Sequence, residues 1–443
     1  MKICVLGLWH LGTVISACLA SSVHQVVGLD FDAETVSRLQ SGNPPLFEPG
    51  LEDLVKNGLA AKRLSFTTDI AEALCFAEIV WITYDTPVDE HDRADVDFVI
   101  ERVKRLFPYL KAGTLVLISS QLPVGTTRRL EEAYATAYPA GGKKVSFGYS
   151  PENLRLGKAI SVFTQPDRVV VGVRFQADRD RVATLLKPFT ERIEWMSVES
   201  AEMTKHALNA FLATSVAFAN ELAAVCEQVG ADAKEVERGL KTEARIGPKA
   251  YLSPGGAFAG GTLARDIAFL TQLGADYNVS LRLIPAVRFS NDEHKNWPRR
   301  KLNELSGNLK NQRIAVWGLT YKPGTDTLRR SGSVELCAWL AKQGARVHAH
   351  DPVIKELPRE LTGIMTLHAT PLAAVEGASV LVIATEWPEY HTLSAQDLVS
   401  VMSNPSVIDA NRFLARTLGA DPRIRYLAVG APSLATGQEK KQS

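Results

Sequence analysis

The sequence predicts an α/β protein: two Rossmann-like doubly wound domains joined by a central helical domain with a long helix. Three observations carry that expectation. A strand, a glycine turn, a helix, a second strand and an acid follow one another over residues 3–30. The same order returns over residues 313–351. Between them, Ala201 to Val229 is a continuous helical pattern with no glycine or proline inside it. These signals divide the chain at 1–197, 198–300 and 301–435, with a polar tail at 436–443 read as disordered.

The first repeat opens with the apolar run Ile3 to Leu6, then Gly7-Leu8-Trp9-His10-Leu11-Gly12, then a helical pattern through Leu19. Gly7 makes the turn and Gly12 lets helix and strand pack closely. The helix start, with His10 and Leu11, faces a pyrophosphate. Asp30, ending the strand that begins at Val26, is placed to take the ribose hydroxyls, which favours NAD over NADP. Trp9 stands where a glycine normally lets the backbone approach the phosphates. Its ring either crowds the dinucleotide or flanks it. Ile79 to Thr83, Leu115 to Ser119 and Val169 to Val171 read as further buried strands.

In the central helix, Ala207, Phe211, Thr214, Phe218, Leu222, Val225 and Val229 recur at three and four residues and form one apolar stripe. Lys205, Asn209, Leu212, Val216 and Asn220 make the opposite face. A helix apolar nearly all round is expected to be buried. A Lys and an Asn one turn apart on it need partners. They read either as a structural pair or as a face looking into a site. Gly230 stops the helix. A glycine-rich loop then runs from Ser253 to Asp266, with backbone suited to close approach of a ligand.

The second repeat is the strand Arg313 to Trp317 ending at Gly318, a helix near residues 333–343, and the strand Arg346 to His350 ending at Asp351. Leu381 to Ala384 and Val407 to Asp409 add strands. This copy lacks the glycine fingerprint and is not expected to bind a dinucleotide.

At 443 residues the chain has room for two or three domains. A net charge of +1 offers no electrostatic case for nucleic acid or an anionic membrane as partner. Cys4, Cys18, Cys75, Cys226 and Cys337 are scattered, mostly in apolar runs, and read as buried thiols rather than disulfides or metal ligands. The apolar N-terminus loosely imitates a signal peptide, but Gly7, His10 and Gly12 interrupt it. No stretch reads as long and apolar enough to span a bilayer, so a cytoplasmic protein is expected.

Several longer motifs point one way. The helix AEMTKHALNAFLAT leads to Arg245-Ile246-Gly247-Pro248 and then to the glycine loop ending Gly260-Gly261-Thr262-Leu263-Ala264-Arg265-Asp266. Residues 42–51 read G-N-P-P-L-F-E-P-G-L, 84–87 Y-D-T-P, 120–127 S-Q-L-P-V-G-T-T and 151–157 P-E-N-L-R-L-G. Together these resemble the UDP-glucose/GDP-mannose dehydrogenases over nearly the whole chain. The resemblance implies NAD as cofactor, a nucleotide sugar (most directly a UDP-sugar) as substrate, and a homodimer or larger. It implies catalytic roles at Lys205, Asn209, Asp266 and Glu152. Cofactor contacts fall at Thr86 and Arg329, and substrate contacts at Arg245, Tyr251, Gly255 and Lys322.

The family oxidises a sugar C6 alcohol to an acid in two NAD-dependent steps, the second through a cysteine thioester. That cysteine position is Thr262 here. A family threonine is replaced by Gln121, and a glutamate near the catalytic water by Leu156. An unactivated hydroxyl is a poor nucleophile. The expectation is therefore oxidation without a thioester, stopping after two electrons. A four-electron reaction through an aldehyde hydrate and a non-catalytic nucleotide-sugar-binding homologue are the alternatives.

Overall fold

The structure is a computed structural model that describes residues 1–87, 89, 94–139, 144–259, 261–328 and 331–432. It divides into two compact units, Met1–Leu208 and Asn209–Ser443. Arg329, Gly260 and the tail assigned to 436–443 lie outside the described residues.

The first unit is built on eight strands: β1 (Lys2–Leu6), β2 (Gln25–Leu29), β3 (Leu64–Thr67), β4 (Ile79–Ile82), β5 (Leu115–Ile118), β6 (Ser146–Tyr149), β7 (Val169–Val173) and β8 (Ile193–Met196). Their order is β3-β2-β1-β4-β5-β6-β7-β8, and every pairing is parallel except β6 with β7. Strand order reverses between β1 and β4, which is where doubly wound sheets bind ligands. β4 and β5 are buried along their whole length, as continuous apolar runs in a parallel sheet must be. Two apolar clusters cover the two faces, one around Leu8, Ile15 and Trp81, the other around Ile82, Phe107 and Phe147.

The second unit carries β9 (Arg313–Trp317), β10 (Arg346–His350), β11 (Thr366–Leu367), β12 (Val380–Ile383), β13 (Ser406–Asp409) and β14 (Arg425–Leu427). All pairings are parallel, in the order β11-β10-β9-β12-β13-β14. The turn after β9 repeats the turn after β1. Gly7 N donates to Leu29 O at 3.0 Å and Gly318 N to His350 O at 2.8 Å. Leu8 N reaches Asp30 Oδ2, and Leu319 N reaches Asp351 Oδ2, both at 2.7 Å. Both glycines have positive φ, +97° and +88°.

The long helix runs Val198–Val229. Two expectations about it are corrected. The helix is not buried all round, because its apolar stripe faces outward: Phe211 is 70% exposed, Phe218 52%, Val225 56% and Val229 71%. The face bearing Lys205, Asn209 and Asn220 is the buried one. Small residues, Ala210, Ala213 and Ala217, pack inward beside those polar groups against Ile267 and Val287. By length and composition this helix is also apolar enough to cross a membrane, with a mean hydropathy of 1.3 over its best 18 residues. That overturns the reading that no stretch qualifies. Its buried polar side chains nevertheless find protein partners. Glu202 accepts from Gly125 N and Thr127 N, and Glu227 from Trp297 Nε1, the bonding of a core helix.

Candidate active site

In the first unit the helix His10–Ser21 starts three residues after Gly7. A Cβ on Gly7 would meet the Tyr84 ring at 2.8 Å, and one on Gly12 would collide with Gly7 O. Both glycines are thus dictated by packing as well as by the turn. Thr83 Oγ1 donates to Gly7 O at 2.8 Å and Thr13 Oγ1 to Leu8 O at 2.8 Å, which pins the turn from both sides. Asp30 accepts from Leu8 N through Oδ2 and from Asp32 N at 3.1 Å through Oδ1. A carboxylate has about four acceptor directions, so it retains capacity for ribose hydroxyls.

Trp9 caps the helix with φ −73°, a conformation that needs no glycine, and the residue is 48% exposed. The cradle therefore fits a dinucleotide. Its glycines admit the pyrophosphate at a helix start, and its acid, just past the end of β2, is tied to the turn through Leu8 N. His10 Nε2 lies 2.9 Å from Glu48 Oε2, and Leu11 is core.

Thr86 is buried and donates through its hydroxyl to Gln121 O at 2.8 Å. Gln121 is itself buried. Lys205, 6% exposed, donates to the backbone carbonyl of Glu152 at 2.6 Å, with Glu152 Oε1 3.5 Å away. Glu152 Oε2 also accepts from Leu154 N at 2.8 Å, holding the 152–154 turn. Leu156 is half-buried. Lys205 and Glu152 are thus brought together in one unit.

The second unit joins Asn209 to Asp266: Asn209 Nδ2 donates to the fully buried Asp266 carboxylate. Thr262 opens the helix Thr262–Asp276 and is solvent-exposed. The glycine loop is held by four polar side chains. Gly255 N donates to Asn220 Oδ1 at 2.9 Å, Gly256 N to Asn411 Oδ1 at 2.6 Å, and Phe258 N to Asn291 Oδ1 at 2.9 Å. His294 Nε2 donates to Gly255 O at 2.7 Å, and burial holds its imidazole below the usual range, in the neutral form.

Beside this loop lies a cavity of about 490 Å³, a size typical of small-ligand sites. In the first unit a helix follows the glycine turn at once. In the second, the helix Gly332–Lys342 starts well after Gly318, and Tyr321, Ser331 and Gly332 line the cavity. Asp351 is occupied internally. It accepts from Leu319 N, Thr320 N, Val353 N and Trp387 Nε1, which leaves it committed to the fold. Val382 and Ile383 of β12, Ile408 of β13 and Asn411 just beyond it line the cavity. Its charged lining is mixed, Lys295 and Arg299 beside Asp292 and Glu335, and Lys295 is paired with Asp292 at 2.8 Å.

Among the predicted substrate residues, Gly255 is buried in the loop, Lys322 is half-buried, and Arg245 and Tyr251 are exposed. None of the four lines the cavity, although Gly256 and Tyr321 beside two of them do. Sequence reasoning missed Lys295, Arg299 and Asn411. The charged run at 291–301 was the available signal, and it reads as a connector until the fold brings it to the strand ends.

A glycine turn and a carboxylate at the switch point of one parallel sheet, with a nucleotide-sized cavity on a second, define an NAD-binding oxidoreductase with a separate ligand domain. The chain belongs to the UDP-glucose/GDP-mannose dehydrogenase family. The family's NAD binding domain matches residues 1–190, its central domain 199–293 and its UDP binding domain 315–416. The chain is 35% identical to a UDP-glucose 6-dehydrogenase of Pseudomonas aeruginosa, over 98% of each chain. It is 34% identical to one of Rhizobium meliloti, over 98% of this chain and 100% of that one. A solved UDP-glucose dehydrogenase from Pyrobaculum islandicum superposes with a TM-score of 0.86 at 30% identity, over 97% and 98% of the two chains. The protein is an NAD-dependent enzyme of the nucleotide-sugar dehydrogenase class.

Proposed function

We propose that this enzyme oxidises the C6 alcohol of a UDP-sugar without a covalent thioester and stops after two electrons. One observation carries the reading: the position of the family's nucleophile is the exposed Thr262, a hydroxyl at a helix start. Bound NAD⁺ supplies the hydride acceptor. In this reading Lys205 and Asn209 hold the charge that develops on O6 as its proton leaves to water, and Glu152 and Asp266 orient them. Both partnerships exist in the structure, Lys205 with Glu152 and Asn209 with Asp266. Gln121 replaces a water-handling threonine, and Leu156 a carboxylate.

The nucleotide fits the second unit's cavity. Its apolar wall, including Leu336 and Val429, suits a base, and Lys295 and Arg299, set among Asp292 and Glu335, are the cations available to a diphosphate. We place Gly255 and Lys322 beside this ligand, with Arg245 and Tyr251 covering it in the assembled enzyme. Arg329, at the cofactor in the family, keeps that assignment from the resemblance alone. The exposed stripe Phe211, Phe218 and Val225, at seven-residue spacing, supports a homodimer or larger through a second copy of this chain. A cytoplasmic location accords with cytosolic supply of NAD and nucleotide sugar.

The test is product mass and NADH stoichiometry on a panel of UDP-sugars, with a search for a trapped adduct. One NADH per sugar and an aldehyde or its hydrate are expected, and Thr262→Ala should retain that step. Two NADH with an acyl adduct at Thr262 would refute the proposal. Two NADH without an adduct would refute only the two-electron limit and favour hydrate oxidation.

A further inference from the structure

We propose that Glu48 is a positioning residue that couples the cofactor turn to the segment holding Lys205. The inference rests on the cofactor and Lys205 assignments above and adds a residue that they do not contain. Glu48 has a side chain only 1% exposed. Its carboxylate makes three hydrogen bonds. Oε2 meets His10 Nε2 at 2.9 Å and Gly157 N at 2.8 Å, and Oε1 accepts from Ala159 N at 2.8 Å.

Each bond reaches a different structural duty. His10 is the first residue of the helix that starts at the dinucleotide turn. Gly157 and Ala159 close the segment that begins at Glu152. That segment is internally braced: Leu154 N donates to Glu152 Oε2 at 2.8 Å and Lys158 N to Arg155 O at 2.9 Å. Its first residue, Glu152, accepts the Lys205 ammonium on its backbone carbonyl at 2.6 Å. One buried carboxylate thus bridges the cofactor turn and the lysine's support, with no gap longer than a hydrogen bond.

Glu48 is in turn fixed by its own backbone. Leu51 N donates to Glu48 O at 3.0 Å, and Gly50, at φ +80°, caps the helix Leu51–Ala60. A buried carboxylate with these donors is costly to move, because each lost acceptor strands a buried N–H. Displacement of His10 by a dinucleotide is therefore transmitted to residues 157–159 rather than absorbed locally.

The test uses the full-length protein and NAD, with binding read by calorimetry and melting temperature read without ligand. Glu48→Gln and His10→Ala should each weaken NAD binding about ten- to a hundred-fold, the worth of a hydrogen bond to a charged group. The double variant should be no worse than the weaker-binding single variant, because both cut one connection. His10→Gln, which keeps a donor near the Nε2 position, should recover most of the affinity. In turnover His10→Ala should act mainly on the KM for NAD, and Glu48→Gln on KM and kcat together.

Lowered melting temperatures with NAD affinity unchanged in both variants would overturn the proposal and leave Glu48 a purely structural tie. Independent, multiplying losses in the double variant would overturn it as well. A wild-type protein with no measurable NAD affinity would instead sink the cofactor reading on which it rests.

Discussion

Trp9 is the residue at which local rule and local structure part. The fingerprint asks for glycine there so that the backbone can approach phosphate, yet the backbone at Trp9 is in an ordinary extended region. No conformational need for glycine exists, and what the indole adds is bulk beside the helix start. Trp9→Gly should therefore tighten NAD binding, by about three- to ten-fold, since one tenfold step is about 1.4 kcal/mol. Calorimetric titration of both proteins checks this, and weaker binding in the variant would show that the indole packs on the dinucleotide. Gly7 and Gly12 differ from Trp9 in kind: positive φ at one and a collision with Gly7 O at the other leave no alternative side chain.

At the scale of elements, the long helix Val198–Val229 turns its polar groups inward and its aromatics outward. Burying Lys205, Asn209 and Asn220 is tolerable because each has a partner: Glu152 O, Asp266 and Gly255 N. Phe211 and Phe218 are exposed among the described residues, and the homodimer proposed above would bury such apolar surface. Phe218→Asp should shift the protein toward monomer, because two chains cannot cheaply bury facing carboxylates. Sedimentation velocity at micromolar protein checks it. Wild type sedimenting as a monomer would refute the interface, and an unchanged oligomer in the variant would move it off this stripe.

Across the whole molecule, the β9–β10 turn copies the β1–β2 turn and then spends its acid differently. Asp351 is saturated by the protein's own N–H groups, whereas Asp30 is left half-engaged. The second sheet also carries an acid-sensitive edge. His348 Nδ1 on β10 and His368 Nε2 just past β11 lie 2.8 Å apart, a spacing that accommodates one proton and not two. Burial first, then Arg313, His368 and Arg346, lowers His348 to about 4. The unfolded chain takes up that proton near the ordinary histidine value of about 6.5, and the folded chain does not until pH nears its lower value. Stability from this group is full above the higher value and is lost as pH falls through the interval. The melting temperature should drop between about pH 7 and 4.5, with a shallower slope in His348→Asn. Parallel slopes in the two proteins would refute the assignment.

The sequence by itself determined the repeated α/β order, the glycine turns, the long helix and the family. These depend on period, on glycine geometry and on residues adjacent in the chain. Arg313–Trp317 and Arg346–His350 were legible to the residue, and so were Gly7, Asp30, Lys205 and Asp266 as candidates. The short strands Leu64–Thr67, Ser146–Tyr149 and Ile193–Met196 were not, because Ser, Gly, Thr and Glu interrupt them, whereas Ile79–Ile82 and Leu115–Ile118, equally short, are unbroken apolar runs. Only the tertiary structure decided which face of Val198–Val229 is buried. Hydrophobicity favours the aromatic stripe, and the outcome instead follows the partners waiting for each polar group. Tertiary structure also decided that the charged run at 291–301 reaches a cavity, and that Glu48 bridges residues 10 and 157–159. Those are contacts between segments distant in the chain, and no local pattern encodes the meeting of a carboxylate with donors more than a hundred residues away.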